Sequence, residues 1–232
     1  MPGVPAPPAN LLTISSDRIN ELPLRRYEGP ISIVADARDV VAASLYLRDE
    51  QVIGFDTETR PSFRAGEQHP ASLLQLAGEE HVFLFQLGRI SDLTPLFVIL
   101  EDPRIRKVGV AIQHDVTGLR RTHPFTPRGF AEIGDLARGL GVHNTGLRTL
   151  CGMFLGFRVA KGAKTSNWAN KALTDSQIVY AATDAWASRK LYVEMARGAR
   201  PLHSEPLYRD EDEDDEDEDE DDEEGEDEDD GQ

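Results

Sequence analysis

Two carboxylates stand one residue apart at the end of an apolar run: Val52, Ile53 and Phe55 lead into Asp56 and Glu58 within VIGFDTETRP. A strand places residues i and i+2 on one face, so this spacing holds both acids side by side at the end of a core strand. Like charges in a poorly solvated place repel, and buried charge is costly unless paired or bound to metal. Two more acids sit at element ends. Asp115 follows the apolar run RKVGVAI (106–112), and Asp184 lies in the first turns of a helix opened by the capping box of Thr174 and Gln177. Tyr180 and Asp184 are i and i+4 on that helix and stack on one face. Four carboxylates so placed can converge at one edge of a sheet. They offer only oxygen, which suits hard cations such as Mg²⁺ or Mn²⁺. Two such ions, about 3.5–4 Å apart, stabilise the attacking and leaving oxygens of phosphoryl transfer. Zinc has no support, because Cys151 is solitary and the six His include no close pair at ligand spacing.

The elements that must position these acids alternate along the chain. ISIVA (31–35) reads as a strand, and Val40, Val41, Ala43, Leu45 and Leu47 give the next segment helical spacing up to about Arg48. SLLQLAG (72–78) and HVFLFQL (81–87) form a hairpin across a short acidic turn. LTPLFVILED (93–102) predicts a helix, RKVGVAI a strand, and Gln113-His114-Asp115 the start of a short helix. Helical patterns follow near 134–140 and 146–157. The last helix runs to about Met195, its stripe turning apolar at Ala187, Leu191 and Met195. A strand meander followed by alternating strands and helices predicts an α/β fold, a mixed sheet covered by helices. No internal repeat is present.

Charge divides the chain sharply. The net charge is −17, but every residue from Asp210 to Asp230 except Gly225 is acidic, 20 acids in all. The remaining 22 acids face 25 Lys and Arg, so residues 1–209 carry about +3. Such an acidic block cannot bury apolar surface and repels itself, so residues 201–232 are expected to be a disordered tail. One further role for it is capture of a basic protein partner. With one Cys there is no internal disulfide, and no apolar run approaches the roughly 18 residues of a membrane span. MPGVPAPPAN lacks a basic n-region and an apolar h-region. A soluble intracellular protein, cytoplasmic if bacterial, is expected.

FDTE, HDVTGL and YAATDA, in this order and context, resemble the three motifs of the DEDD superfamily of 3′–5′ exonucleases in its tyrosine-bearing branch. PSFRAG, LLQLA, VFLF, KVGVAI, SNW and LTDSQIVYAATDA extend the resemblance to the Werner-type exonucleases and ribonuclease D, over about residues 20–197. The resemblance implies an RNase H-like fold and a domain at 20–200 behind a flexible segment at 1–19. It also implies two Mg²⁺ or Mn²⁺ ions held by Asp56, Glu58, Asp115 and Asp184, with Asp56 bridging. Tyr180 would orient the attacking water. The implied reaction is hydrolysis of the 3′-terminal phosphodiester of DNA or RNA, releasing nucleoside 5′-monophosphates. The competing readings are a nucleic-acid-binding module without turnover and an interaction protein working through its acidic tail.

Substrate contacts are expected in RVAKGAKTSNWANK (158–171), where Lys161, Lys164 and Lys171 can attract phosphates and Trp168 reads as a core anchor. Phe63 and Arg64, just after the first motif, are placed to meet the 3′ end. His114 and His123 read as ordinary polar residues.

Overall fold

In the computed structural model, which describes residues 11–61, 69–161 and 166–207, VIGFDTET forms the strand around which the rest is arranged. The elements run β1 (Leu11–Thr13), α1 (Ser16–Glu21), β2 (Ile31–Val34), α2 (Ala37–Leu47), β3 (Val52–Thr59), β4 (Ala71–Ala77) and β5 (Val82–Gln86). Then follow α3 (Thr94–Glu101), β6 (Arg106–Gly109), α4 (Gln113–Thr122), β7 (Phe130–Glu132), α5 (Ile133–Gly139), α6 (Leu147–Leu150), α7 (Asp175–Ala196) and β8 (Glu205–Leu207). A six-stranded sheet has the order β2-β5-β4-β3-β6-β7. β3, β4 and β5 are antiparallel neighbours, whereas β2 joins β5, and β6 and β7 extend from β3, in parallel. This is the mixed, helix-covered sheet expected of an RNase H-like exonuclease fold.

The two sheet faces are both buried, by different elements. Ile53, Phe55, Leu74, Leu76, Phe83 and Phe85 pack with Val40, Leu47, Leu96 and Leu100 of α2 and α3. On the opposite face Leu73, Ala77, Val82 and Leu84 pack with Ala181, Ala182 and Ala185 of α7. Period-2 alternation therefore puts Asp56 and Glu58 on the α7 side of β3. The capping box is present: Gln177 N donates to Thr174 Oγ1 at 3.3 Å and Thr174 N to Gln177 Oε1 at 3.0 Å.

Three local features differ from the sequence reading. RKVGVAI does not run as one strand. It ends at Gly109, and Ala111 adopts a left-handed φ of 61° in the turn that starts α4. Residues 11–19, assigned to a flexible segment, include β1 and the start of α1. β1 pairs antiparallel with β8, which falls within residues assigned to the acidic tail. Leu12 N also donates to Gly141 O, and His143 N to Leu12 O, so the ribbon is held against the body. Three-residue strands carry too few side chains to show a period. The acidic run itself lies outside the described residues.

Lys107 on β6 is fully buried, its Nζ donating to the carbonyls of Asp102 (2.7 Å), Ile105 (2.9 Å) and Ile99 (3.1 Å). It thereby closes the C-terminal end of α3, where helix carbonyls lack intrahelical partners. Burial pulls its pKa down to about 8. Lys107→Met is expected to lower the unfolding free energy by about 2 kcal/mol, because the Ile105 carbonyl loses its ammonium donor while those of Ile99 and Asp102 keep only long backbone bonds of 3.3 Å from Asp102 N and Ile105 N. Urea denaturation at neutral pH checks this; unchanged stability would mean that water replaces the ammonium there.

Candidate active site

Two elements bring three acids together. Asp56 and Glu58 occupy the end of β3, just before the register shift between Glu58 and Thr59. Asp184 lies in the third turn of α7, only 6% exposed. One carboxylate oxygen from each of the three lies within 4.8 Å of the others. Tyr180, one turn earlier on α7, brings its hydroxyl close enough to the Asp184 carboxylate for each to shift the other's titration.

Asp115 flanks this triad from the first turn of α4. Its Oδ1 accepts from Thr57 Oγ1, the side chain between the two acids of β3. Its charge still reaches Asp56 and Glu58. The turn carrying it is held by a residue the sequence reading missed. Glu132 accepts from Ala111 N and Ile112 N, both at 2.9 Å, and from Gly134 N at 2.9 Å. One carboxylate thus fixes the start of α4 and caps α5. The short β7 that delivers it has no legible period, so the sequence offers no signal for this role.

The electrostatics are those of a charged site without counter-charge. Burial and the charges of Asp184, Asp115 and Glu58 push Asp56 well above the usual carboxylate range. Glu58 is pushed up to about 8, by burial first and then by Asp184 and Asp115. Burial raises Asp184 to about 6 against the stabilising hydroxyl of Tyr180, and it also raises Asp115 against the bond from Thr57. Tyr180 is pushed upward by burial and by Asp184, so its phenol stays protonated. Among the described residues no Lys or Arg pairs with Asp56, Glu58 or Asp184. Beside Asp56 in the β3–β4 pair, Gln75 is fully buried with neither amide atom hydrogen bonded. An orphaned amide next to three unpaired carboxylates marks a site built for something more than the chain itself. The all-oxygen donor set fits a divalent hard cation.

Two clefts reach the acids. One, of ≈ 570 Å³, is lined by Arg25, Arg26, Ala160, Ser176, Tyr180 and Asp184. The other, of ≈ 620 Å³, is lined by Thr57, Thr59, His114, Asp115, Gly118 and Arg121. Lys161 is exposed next to Ala160 of the first cleft. Trp168 is a core residue, 2% exposed, its ring 6.1 Å from that of Tyr180. Lys171 is exposed, and its carbonyl accepts from Gln86 and Arg89. Phe63, Arg64 and Lys164 lie outside the described residues. His123 stacks on Phe97 at 5.6 Å.

The 3′–5′ exonuclease domain family matches residues 31–198, well over half of the chain. The chain belongs to that family. It is 32% identical over 186 residues to the bifunctional 3′–5′ exonuclease/ATP-dependent helicase WRN of Mus musculus, covering 76% of this chain and 13% of that protein. Against ribonuclease D of Haemophilus influenzae the identity is 27% over 181 residues, with 77% of this chain and 45% of the relative covered. The chain thus spans less than half the length of either relative. The exonuclease domain of Aedes aegypti Nibbler shares the fold at a TM-score of 0.67 and 22% identity, over 75% of this chain and 91% of that one. Escherichia coli RNase D is similar at a TM-score of 0.62 and 25% identity, over 72% and 45% of the respective chains. The family depends on divalent metal, in keeping with the acidic cluster.

The raised carboxylates make stability depend on pH. Folded Glu58 and Asp184 hold protons to about 8 and about 6, above their ordinary values of 4.5 and 3.8. Over that window the native state binds more protons than the unfolded one, so stability is present at low pH and is lost as pH rises. Protein stripped with EDTA is expected to melt lower at about pH 8.5 than at about pH 5 by roughly 10–20 °C, because the two shifts are together worth about 5 kcal/mol over that range and this size loses about 2–4 °C per kcal/mol. Glu58→Gln should flatten the profile, and added Mn²⁺ should raise the melting temperature most at the higher pH, where protons compete least. Scanning calorimetry reads all three; a profile independent of pH would show the acids to be well solvated.

Proposed function

We propose that the protein is a 3′–5′ exonuclease that removes nucleoside 5′-monophosphates one at a time from the 3′ end of DNA or RNA. The observation that carries this is the triad of Asp56, Glu58 and Asp184, within 4.8 Å and without a cationic partner among the described residues, in a chain of the exonuclease family. Asp56, Glu58 and Asp184 would hold divalent cation, with Asp115 completing a second position, and either Mg²⁺ or Mn²⁺ suits these oxygens. Bound there, the ions supply charge neutralisation for the reacting phosphate and its attacking and leaving oxygens.

The chain's own groups have separable tasks. Tyr180 keeps its proton, so it acts as a hydrogen-bond donor that orients water and not as a base. Thr57 holds Asp115 in one rotamer by donating to Oδ1. The two clefts leave room for a strand on both sides of the acids. Water adds to phosphorus, the bond from phosphorus to the 3′ oxygen breaks, and the shortened strand leaves with a 3′ hydroxyl. Lys161, together with Lys164, Phe63 and Arg64, would hold the substrate end. We place the protein inside the cell; among the described residues no helix is long and apolar enough to cross a membrane. A basic partner for the acidic run rests on charge alone.

The test uses 5′-labelled single-stranded DNA and RNA with Mg²⁺, Mn²⁺ or EDTA. A ladder shortening from the 3′ end only with metal is expected, and Asp56→Ala should abolish it while strand binding survives. Tyr180→Phe should lower kcat by about 10- to 1,000-fold, the scale of losing one positioned group. Full turnover by Asp56→Ala would sink the assignment, and full kcat for Tyr180→Phe would leave Tyr180 a packing residue.

A further inference from the structure

A strap from Leu22 to Gly29 crosses the N-terminal half of α7 and is tied down at several points. Arg25 N donates to Arg158 O and Arg158 N to Pro23 O, each at 2.9 Å. Tyr27 is buried; its N donates to Thr183 Oγ1 at 3.0 Å and its hydroxyl to Glu80 O at 2.8 Å. Thr183 immediately precedes Asp184, so the helix that positions the acid also positions the strap. Between these anchors Arg25 and Arg26 are exposed, and neither forms an ion pair among the described residues. Both line the cleft that ends at Tyr180 and Asp184, and both wall a second cleft that includes Lys190 and Trp186. Glu28 and Asp175 share the first cleft but do not engage the two guanidinium groups.

We propose that Arg25 and Arg26 form a phosphate-binding rim that holds a single nucleic-acid strand at backbone phosphates other than the one being cleaved. The proposal rests on the exonuclease reading of the site. A polyanion cannot approach four clustered carboxylates on favourable terms, and cations bound by those acids neutralise only the reacting phosphate. The neighbouring phosphates need their own counter-charge. Arginine matches phosphate through a planar two-pronged donor pair. A strap already fixed to α7 loses little backbone freedom when substrate docks, so more of each contact appears as affinity. Contacts of this kind fix register on the strand without reading bases. The rim therefore serves strands of any sequence.

The experiment compares the full chain with its Arg25→Gln/Arg26→Gln variant. Fluorescence anisotropy in EDTA measures binding of a labelled single strand of about 12 nucleotides, within the span such grooves cover. The expected result is a Kd raised about tenfold at low salt, with the slope of log Kd against log salt reduced by about 1.4, or about 0.7 for each phosphate left without its arginine. With metal, KM should rise in parallel while kcat at saturation holds. An Arg48→Gln/Arg197→Gln variant makes the same change in net charge away from the cleft and should bind as wild type does. Wild-type Kd and salt slope in the strap variant would overturn the rim, as would an equal loss in the control. Weakened inhibition by nucleoside monophosphate with unchanged strand binding would overturn it in favour of a product site. Wild-type protein that neither binds nor shortens strands would instead bring down the exonuclease reading itself.

Discussion

A Cβ on Gly54 would stand 1.9 Å from the carbonyl oxygen of Ala185, so α7 lies on β3 at a distance only glycine permits. Glycine weakens a strand interior, and its presence there marks a close backbone approach. Ala181, Ala182 and Ala185 keep the facing side of the helix equally thin. Arg189 fixes the pair, donating to Val52 O at 3.0 Å and meeting Glu50 and Glu79 at 3.5 and 3.3 Å. One turn above this contact, Asp184 meets Asp56 and Glu58. Any side chain at position 54 would lift the helix and part the acids.

That closeness works against folding. Burial raises all four carboxylates and mutual repulsion adds to it at Asp56 and Glu58, and among the described residues none of the three in the triad has a cationic side chain to offset it. The hydroxyls of Tyr180 and Thr57 soften the repulsion without cancelling it. The body tolerates this because most of both sheet faces are sealed by large apolar clusters. A site that is unfavourable when empty gains more on receiving a cation than a neutral one would.

The placement of Asp56, Glu58 and Asp184 was legible because their constraints are local. An i, i+2 pair on a strand and an i, i+4 pair on a capped helix follow from backbone periods alone. The hairpin of β4 and β5, α2, α3 and α7 were legible for the same reason. What escaped depends on partners distant in sequence. Glu132 shows its role only when Ala111 and Ile112 are folded against it. Gln75 reads as one polar residue in an apolar run until β4 pairs with β3 and sets it beside Asp56. The left-handed Ala111 that stops β6 is invisible, since alanine carries no turn signal. The strap arginines lie between elements, where no periodicity speaks.

The pairing of β1 with β8 joins Leu11 to Leu207 across almost the whole described chain. A folded unit whose two ends leave side by side can be spliced into a longer polypeptide at the cost of a short gap in its host, and rejoined head to tail with a brief linker. The small ribbon makes the folded body portable.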